Sequence, residues 1–150
     1  MTKLSKLFAS FLGIGYLKPM PGTYASFVVF VMGLFLYGYF TLTLAILLFV
    51  ILFIISYYSI NLLTDSSINK DPEWIVIDEV LGSVLILIFI PYSLLSFFLA
   101  FIIFRLFDGQ NIWPVNLFNK IKTPLGVMVD DLVAGAMAIV ITRLVILFIK

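Results

Sequence analysis

Polar residues along this chain fall in short clusters, and nearly everything between them is hydrocarbon. From Ala25 to Leu63 the sequence is almost wholly apolar. That is too long for one bilayer crossing, which takes about 20 residues. Gly38, Thr41 and Thr43 mark a turn near its middle, so the run predicts two helices, about Tyr24–Tyr37 and Leu42–Leu63. Thr64–Glu73 reads as a polar loop, with Asp65, Lys70, Asp71 and Pro72. A third apolar helix is predicted from about Trp74 to Ile90, stopped by Pro91, because a proline ends or kinks a helix. A fourth returns from about Ser93 to Phe107, and a second loop covers Gly109–Pro124. The last helix is expected to start near Met128 and run to the C-terminus. At the other end, Leu4–Leu17 predicts a short helix lying at the membrane interface. Lys3 and Lys6 precede it as in a signal peptide, but Gly13, Gly15, Lys18, Pro19 and Pro21 follow instead of a cleavage site.

Composition fits this pattern. Of 150 residues, 63% are hydrophobic and 11% are charged, against roughly 25% charged in a soluble domain. The expected fold is therefore all-α: one domain, residues 1–150, forming a polytopic membrane bundle of about four to five membrane helices plus the interfacial N-terminal helix. A net charge of +1 offers no basic field for nucleic acid. Both tight turns, near Gly38 and Pro91, are uncharged, and every charge except Arg143 and Lys150 falls on the other side. Lys3, Lys6, Lys18, Lys70, Lys120 and Lys122 make that side cytoplasmic by the positive-inside rule.

Absent residue types narrow the chemistry. Without cysteine there is no thiolate nucleophile or zinc-thiolate site, and without histidine no Ser-His, Cys-His or phosphohistidine mechanism. What remains is carboxylates, Arg, Lys, hydroxyls and a metal bound through oxygen. Ionised groups in or beside hydrocarbon are costly and usually mark a site. Asp78-Glu79 opens the third helix, Asp108 closes the fourth and Asp130-Asp131 opens the last, so all five acids share one depth. A single Asp would suffice to cap the last helix; two, answered by a second pair, point to a site. Gly82 lies one turn from Asp78 and Glu79, and Ala134-Gly135 one turn from Asp131. Small residues let membrane helices approach closely, which would bring the acidic pairs together. Clustered acids need a neutralising partner: a proton, Arg105, or a hard cation such as Mg²⁺ or Mn²⁺. Arg105, three residues before Asp108, can pair with that acid or clamp a phosphate with its planar fork. Pro21-Gly22-Thr23 with Ser26 starts the first spanning helix; it serves either as an ordinary cap or as an anion site. Together these features suggest metal-dependent chemistry on a phosphate, and the surrounding hydrocarbon implies a lipid substrate.

Several blocks carry a resemblance. Pro21-Gly22-Thr23-x-x-Ser26, Ile77-Asp78-Glu79-x-x-Gly82, Phe104-Arg105-x-x-Asp108, Trp113-Pro114 and Gly126-Val127-Met128-x-Asp130-Asp131-x-x-Ala134-Gly135 resemble the phosphatidylglycerophosphatase A family, in that family's order and from about residue 13 to 140. The resemblance implies a magnesium-dependent phosphatase of the bacterial inner membrane, multi-pass and with its active site on the cytoplasmic side. Such an enzyme converts phosphatidylglycerophosphate to phosphatidylglycerol and inorganic phosphate. Two departures stand out. Asn111-Ile112 replaces the family's Lys-Pro, and Thr123-Pro124 replaces a glycine pair. Lys18, Lys120 or Lys122 would then substitute for the missing lysine at the phosphate.

On this reading Asp78, Glu79, Asp130 and Asp131 hold one or two Mg²⁺ ions, Arg105 clamps the phosphate and Asp108 orients Arg105 or ligates metal. Gly22, Thr23 and Ser26 add donors, and the nucleophile is either water or an aspartate. A CDP-alcohol phosphotransferase is disfavoured because Asp108-Gly109 is not followed by that family's core motif. A small transporter or channel using intramembrane carboxylates is the alternative of another class; the clustering of the acids at one surface counts against it.

Overall fold

The computed structural model describes residues 2–64, 72–110, 112–117 and 123–149, and they are all-helical, with no strand among them. Six α-helices follow in order: α1 (Thr2–Ala9), α2 (Pro21–Leu36), α3 (Leu42–Thr64), α4 (Ile77–Phe89), α5 (Leu94–Gly109) and α6 (Pro124–Ile149). Lys70, Lys120, Lys122, Lys150, Asp65, Asp71 and Asn111, all used in the sequence reading, lie outside the described residues.

Local chemistry explains where helices begin and end. The expected helix over residues 4–17 stops at Ala9. Phe11, Leu12 and Gly13 take left-handed φ of 46, 58 and 96°. Leu12 N–H then reaches the Leu7 carbonyl at 2.8 Å, and the Ser10 hydroxyl accepts from Gly13 N–H at 3.1 Å. Val76 N–H donates to the Ala9 carbonyl at 2.9 Å, tying the end of α1 to the start of α4. A Cβ at Gly15 would lie 2.0 Å from the Trp74 carbonyl oxygen, so only glycine permits that approach. With residues 72–76 spent on these contacts, α4 starts at Ile77 rather than near Trp74. Pro21 sits at the first position of α2, where its missing N–H costs nothing. Thr123 accepts from Gly126 N–H at 3.1 Å and Pro124 follows it, which starts α6 four residues before the expected Met128. Ser93 caps α5 by accepting from Ser96 N–H at 3.0 Å.

Helix α4 is the hub and packs on α2, α3, α5 and α6. Its closest crossing, with α6, is made by the two glycines that the spacing singles out. A Cβ at Gly82 would lie 2.8 Å from the Asp131 carbonyl oxygen and 2.8 Å from the Phe104 ring. One at Gly135 would lie 3.0 Å from the Gly82 carbonyl oxygen. At the far end of α4, Arg143 Nε donates to the Phe89 carbonyl at 2.7 Å. Among the described residues, two helices, Leu42–Leu63 and Leu125–Ile149, are long and apolar enough to cross a membrane, and Pro21–Leu36 is a shorter apolar helix. The outward face of α3 is itself apolar but for the Tyr58 hydroxyl, with Leu47, Ile51, Ile54, Tyr58 and Leu62 exposed.

Two glycine substitutions separate packing from propensity. Gly82→Ala is expected to destabilise the bundle by about 1–3 kcal/mol through overpacking. Gly109→Ala, with nothing within 4 Å of its added Cβ, is expected to be neutral or mildly stabilising. Denaturant unfolding in detergent micelles, followed by circular dichroism, checks both.

Candidate metal and phosphate site

The α4–α6 crossing decides which acids meet. Asp78 and Glu79 occupy the first turn of α4, and Asp131 stands one turn before Gly135 on α6. Because Gly82 and Gly135 bring the two backbones together, one carboxylate oxygen from each of Asp78, Glu79 and Asp131 lies within 4.8 Å of the others. Asp78 and Asp131 are only 5% exposed. The Asp78 carboxylate accepts the Glu79 backbone N–H at 3.1 Å.

Two further helices complete the site. Asp108, in the last turn of α5, comes within hydrogen-bonding reach of Asp131. Arg105, one turn earlier, forms an ion pair with Asp108, and both side chains are about four-fifths buried. Arg105 and Asp108 also act electrostatically on Glu79. From the opposite side, the start of α2 presses on Glu79. A Cβ at Gly22 would lie 1.9 Å from Glu79 Oε1, so glycine is what leaves room for the carboxylate. The positive end of the α2 dipole faces that negative charge.

The sequence-derived residues therefore divide. Asp78, Glu79, Asp108, Asp131, Arg105 and Gly22 converge. Asp130 is outside the group of three, since adjacent helix positions point about 100° apart. Thr23 Oγ1 is buried without a hydrogen-bond partner among the described residues. Ser26 is fully buried, and its hydroxyl donates to the Gly22 carbonyl at 2.8 Å, bracing the first turn of α2. Lys18 is exposed on the loop before α2. Sequence reasoning passed over Ser83, fully buried one turn beyond Glu79 with no partner for its Oγ among the described residues. The i,i+4 spacing from Glu79 was the available signal.

Four carboxylates stand against one guanidinium, and that guanidinium is already paired. Like charges this close in an apolar surround repel strongly, so the cluster calls for added positive charge. The donor set fits a hard divalent cation: every candidate ligand is a carboxylate oxygen. Glu79 Oε2 is buried with no hydrogen-bond partner among the described residues, which fits a carboxylate oxygen that ligates a metal. Arg105 Nε is likewise buried and unpartnered among them, which leaves a donor for an anion beside Asp108.

Comparison with known proteins supplies independent information. The sequence pattern of the family described as Phosphatidylglycerophosphatase A matches residues 7–146. A relative named Phosphatidylglycerophosphatase A, from Haemophilus influenzae, is 28% identical over 131 residues, covering 86% of this chain and 80% of that protein. No solved structure matches the chain.

The electrostatic argument predicts opposite effects with and without metal. In EDTA, Asp131→Asn is expected to melt at or above the parent's temperature, because it removes one buried negative charge. Magnesium at a hundredfold excess over its Kd is expected to stabilise the parent by about 2.7 kcal/mol, and the variant by much less. Thermal unfolding of the purified chain, with and without Mg²⁺, measures both.

Proposed function

The chain belongs to the phosphatidylglycerophosphatase A family, and from that membership we propose that it is a phosphatase hydrolysing phosphatidylglycerophosphate to phosphatidylglycerol and inorganic phosphate. The observation that carries the reading is the convergence of Asp78, Glu79 and Asp131 from two helices, with Arg105 and the α2 N-terminus alongside. Among the described residues, the ionisable groups that meet there are carboxylates and one guanidinium, which is equipment for a metal and a phosphate.

Each residue has a task that follows from its place. Asp78, Glu79 and Asp131 would hold Mg²⁺, one or two ions, which when bound neutralises the acids and draws charge from the phosphate oxygens. Asp130, adjacent on α6, is the candidate for a further ligand at the rim. Arg105 presents its planar fork to the phosphate, and Asp108 fixes that fork's orientation through their ion pair. The Gly22 backbone, the Thr23 hydroxyl and the positive end of α2 add donors for the same anion. Ser26 acts through Gly22, whose carbonyl it holds. Lys18, exposed at the entrance, draws the anionic head group toward the site. Burial of Asp78 and Asp131 keeps bulk water away, which strengthens every charge interaction there.

The same reading places the molecule in a bacterial inner membrane. Helices α3 and α6 cross it. The shorter α2, α4 and α5 complete a multi-pass bundle of four to five membrane helices, and α1 lies at the interface. Helix α4, at 13 residues, is about 20 Å long, short of a ~30 Å hydrocarbon core. It is tolerated because four other helices surround it. Lys3, Lys6 and Lys18 share the end of the molecule that carries the acids, and Arg143 marks the other end. The active site then faces the cytoplasm.

Phosphate release from phosphatidylglycerophosphate in detergent micelles tests this reading. Release is expected from the parent, abolished by EDTA and restored by Mg²⁺. Asp78→Asn and Asp131→Asn are each expected to lower turnover at least a hundredfold while leaving helical content unchanged. Arg105→Lys should cost tenfold or more, since a point charge does not replace a fork. An inactive, chelator-insensitive parent would overturn the assignment, and near-parental turnover in either Asp variant would remove that residue from the site.

A further inference from the structure

Glu79 Oε2 and Ser83 Oγ are both buried without a hydrogen-bond partner among the described residues, and both belong to α4. Their spacing of four stacks the two side chains on one face of the helix, with Cβ atoms about 5–6 Å apart. Each Cα–Cβ bond of an α-helix tilts toward the N-terminus, so Ser83 leans toward the turn that carries Glu79. A serine inside a helix can settle its hydroxyl on the carbonyl four residues back. Ser26 does so, donating to the Gly22 carbonyl at 2.8 Å. Ser83 does not, although it is fully buried. Its other neighbours along that face, Val80, Ile86 and Leu87, are hydrocarbon, and an unpaired hydroxyl among such groups is costly. Alanine would occupy the position without that cost and is the better helix former.

We infer that Ser83 is a positioning residue for the cation site: its hydroxyl donates to the Glu79 carboxylate, directly or through one buried water, and so holds that carboxylate in the orientation that ligates the ion. The inference rests on the reading of Asp78, Glu79 and Asp131 as metal ligands given above, and adds the residue that steadies one of them. Of those three acids, Asp78 accepts the Glu79 backbone N–H at 3.1 Å, and Asp131 has Asp108 within hydrogen-bonding reach. Glu79 Oε2 has no such partner among the described residues. A carboxylate oxygen has two lone-pair directions. One can face a cation; in a surround closed to water, the other needs a donor. Ser83 stands one turn deeper, about 6 Å further along the helix axis, and so acts through Glu79 rather than on the phosphate. Groups that hydrogen-bond a metal ligand typically contribute about 10–100-fold to metal affinity.

The test titrates Mn²⁺ into the purified full chain in micelles, followed by electron paramagnetic resonance. Ser83→Ala and Ser83→Cys, the second close in size but a weak donor, are each expected to weaken Mn²⁺ binding by about tenfold. Ser56→Ala is the control: Ser56, on α3, is also fully buried with an unpartnered Oγ among the described residues, and its removal is expected to leave Mn²⁺ affinity at the parental value. In EDTA, Ser83→Ala is expected to melt at or above the parent, since it removes an unpaired buried hydroxyl. Phosphate release by this variant should need about ten times more Mg²⁺ for half-maximal rate, with kcat at saturating Mg²⁺ close to the parent's. Parental Mn²⁺ affinity in both Ser83 variants overturns the inference, as does an equal loss in Ser56→Ala. A Ser83→Ala chain that melts well below the parent in EDTA marks a packing role and refutes it too. A parent that binds no Mn²⁺ brings down the metal reading itself, an outcome distinct from a binding parent whose Ser83 variants bind equally well.

Discussion

Repulsion among buried carboxylates is the constraint around which this bundle is arranged. Three acids offer oxygens within 4.8 Å of one another, and a fourth, Asp108, reaches Asp131 from α5. A chain with so few charged residues gains nothing in folding from gathering them in one place. The gathering is enforced by the Gly82–Gly135 crossing, where a Cβ at Gly82 would meet the Asp131 carbonyl oxygen at 2.8 Å and one at Gly135 would meet Gly82 at 3.0 Å. Close backbone approach is thus the structural means, and its electrostatic consequence is a cluster that needs compensating positive charge.

The remaining elements adjust that arrangement. Arg105, tied to Asp108, brings one positive charge but keeps its Nε buried and unpartnered among the described residues. Gly22 brings the α2 N-terminus against Glu79. The bond between Val76 N–H and the Ala9 carbonyl fixes where α4 starts, and hence the height at which Asp78 and Glu79 stand.

Much of this was legible in the sequence, for identifiable reasons. Gly38 and Pro91 divide the apolar runs where the chain does turn, so α2, α3, α4 and α5 were found nearly in place. The small residues one turn beyond Asp78, Glu79 and Asp131 foretold the convergence of those three. The same stripe, Ala134, Gly135 and Ala138, also favours Asp131 over Asp130, because only Asp131 shares its face; adjacency hid that distinction. The end of α1 was not legible: Phe11 and Leu12 take left-handed φ against their own preferences, in a turn whose flanks, Ala9 and Gly15, meet Val76 and Trp74. The early start of α6 was legible, as Thr123-Pro124 is a cap followed by a first-turn proline, but the acids nearby drew the boundary toward themselves. Hydropathy and length speak most clearly for α3 and α6, the described helices long and apolar enough to cross a membrane.

The central claim is that acids from α4 and α6 form one cation site. Electron paramagnetic resonance of Mn²⁺ titrated into the purified chain in micelles tests it most directly. The account predicts a tight Mn²⁺ site in the parent that Asp78→Asn and Asp131→Asn each weaken at least tenfold, although the two residues sit on different helices. Undiminished Mn²⁺ binding in either variant would contradict it.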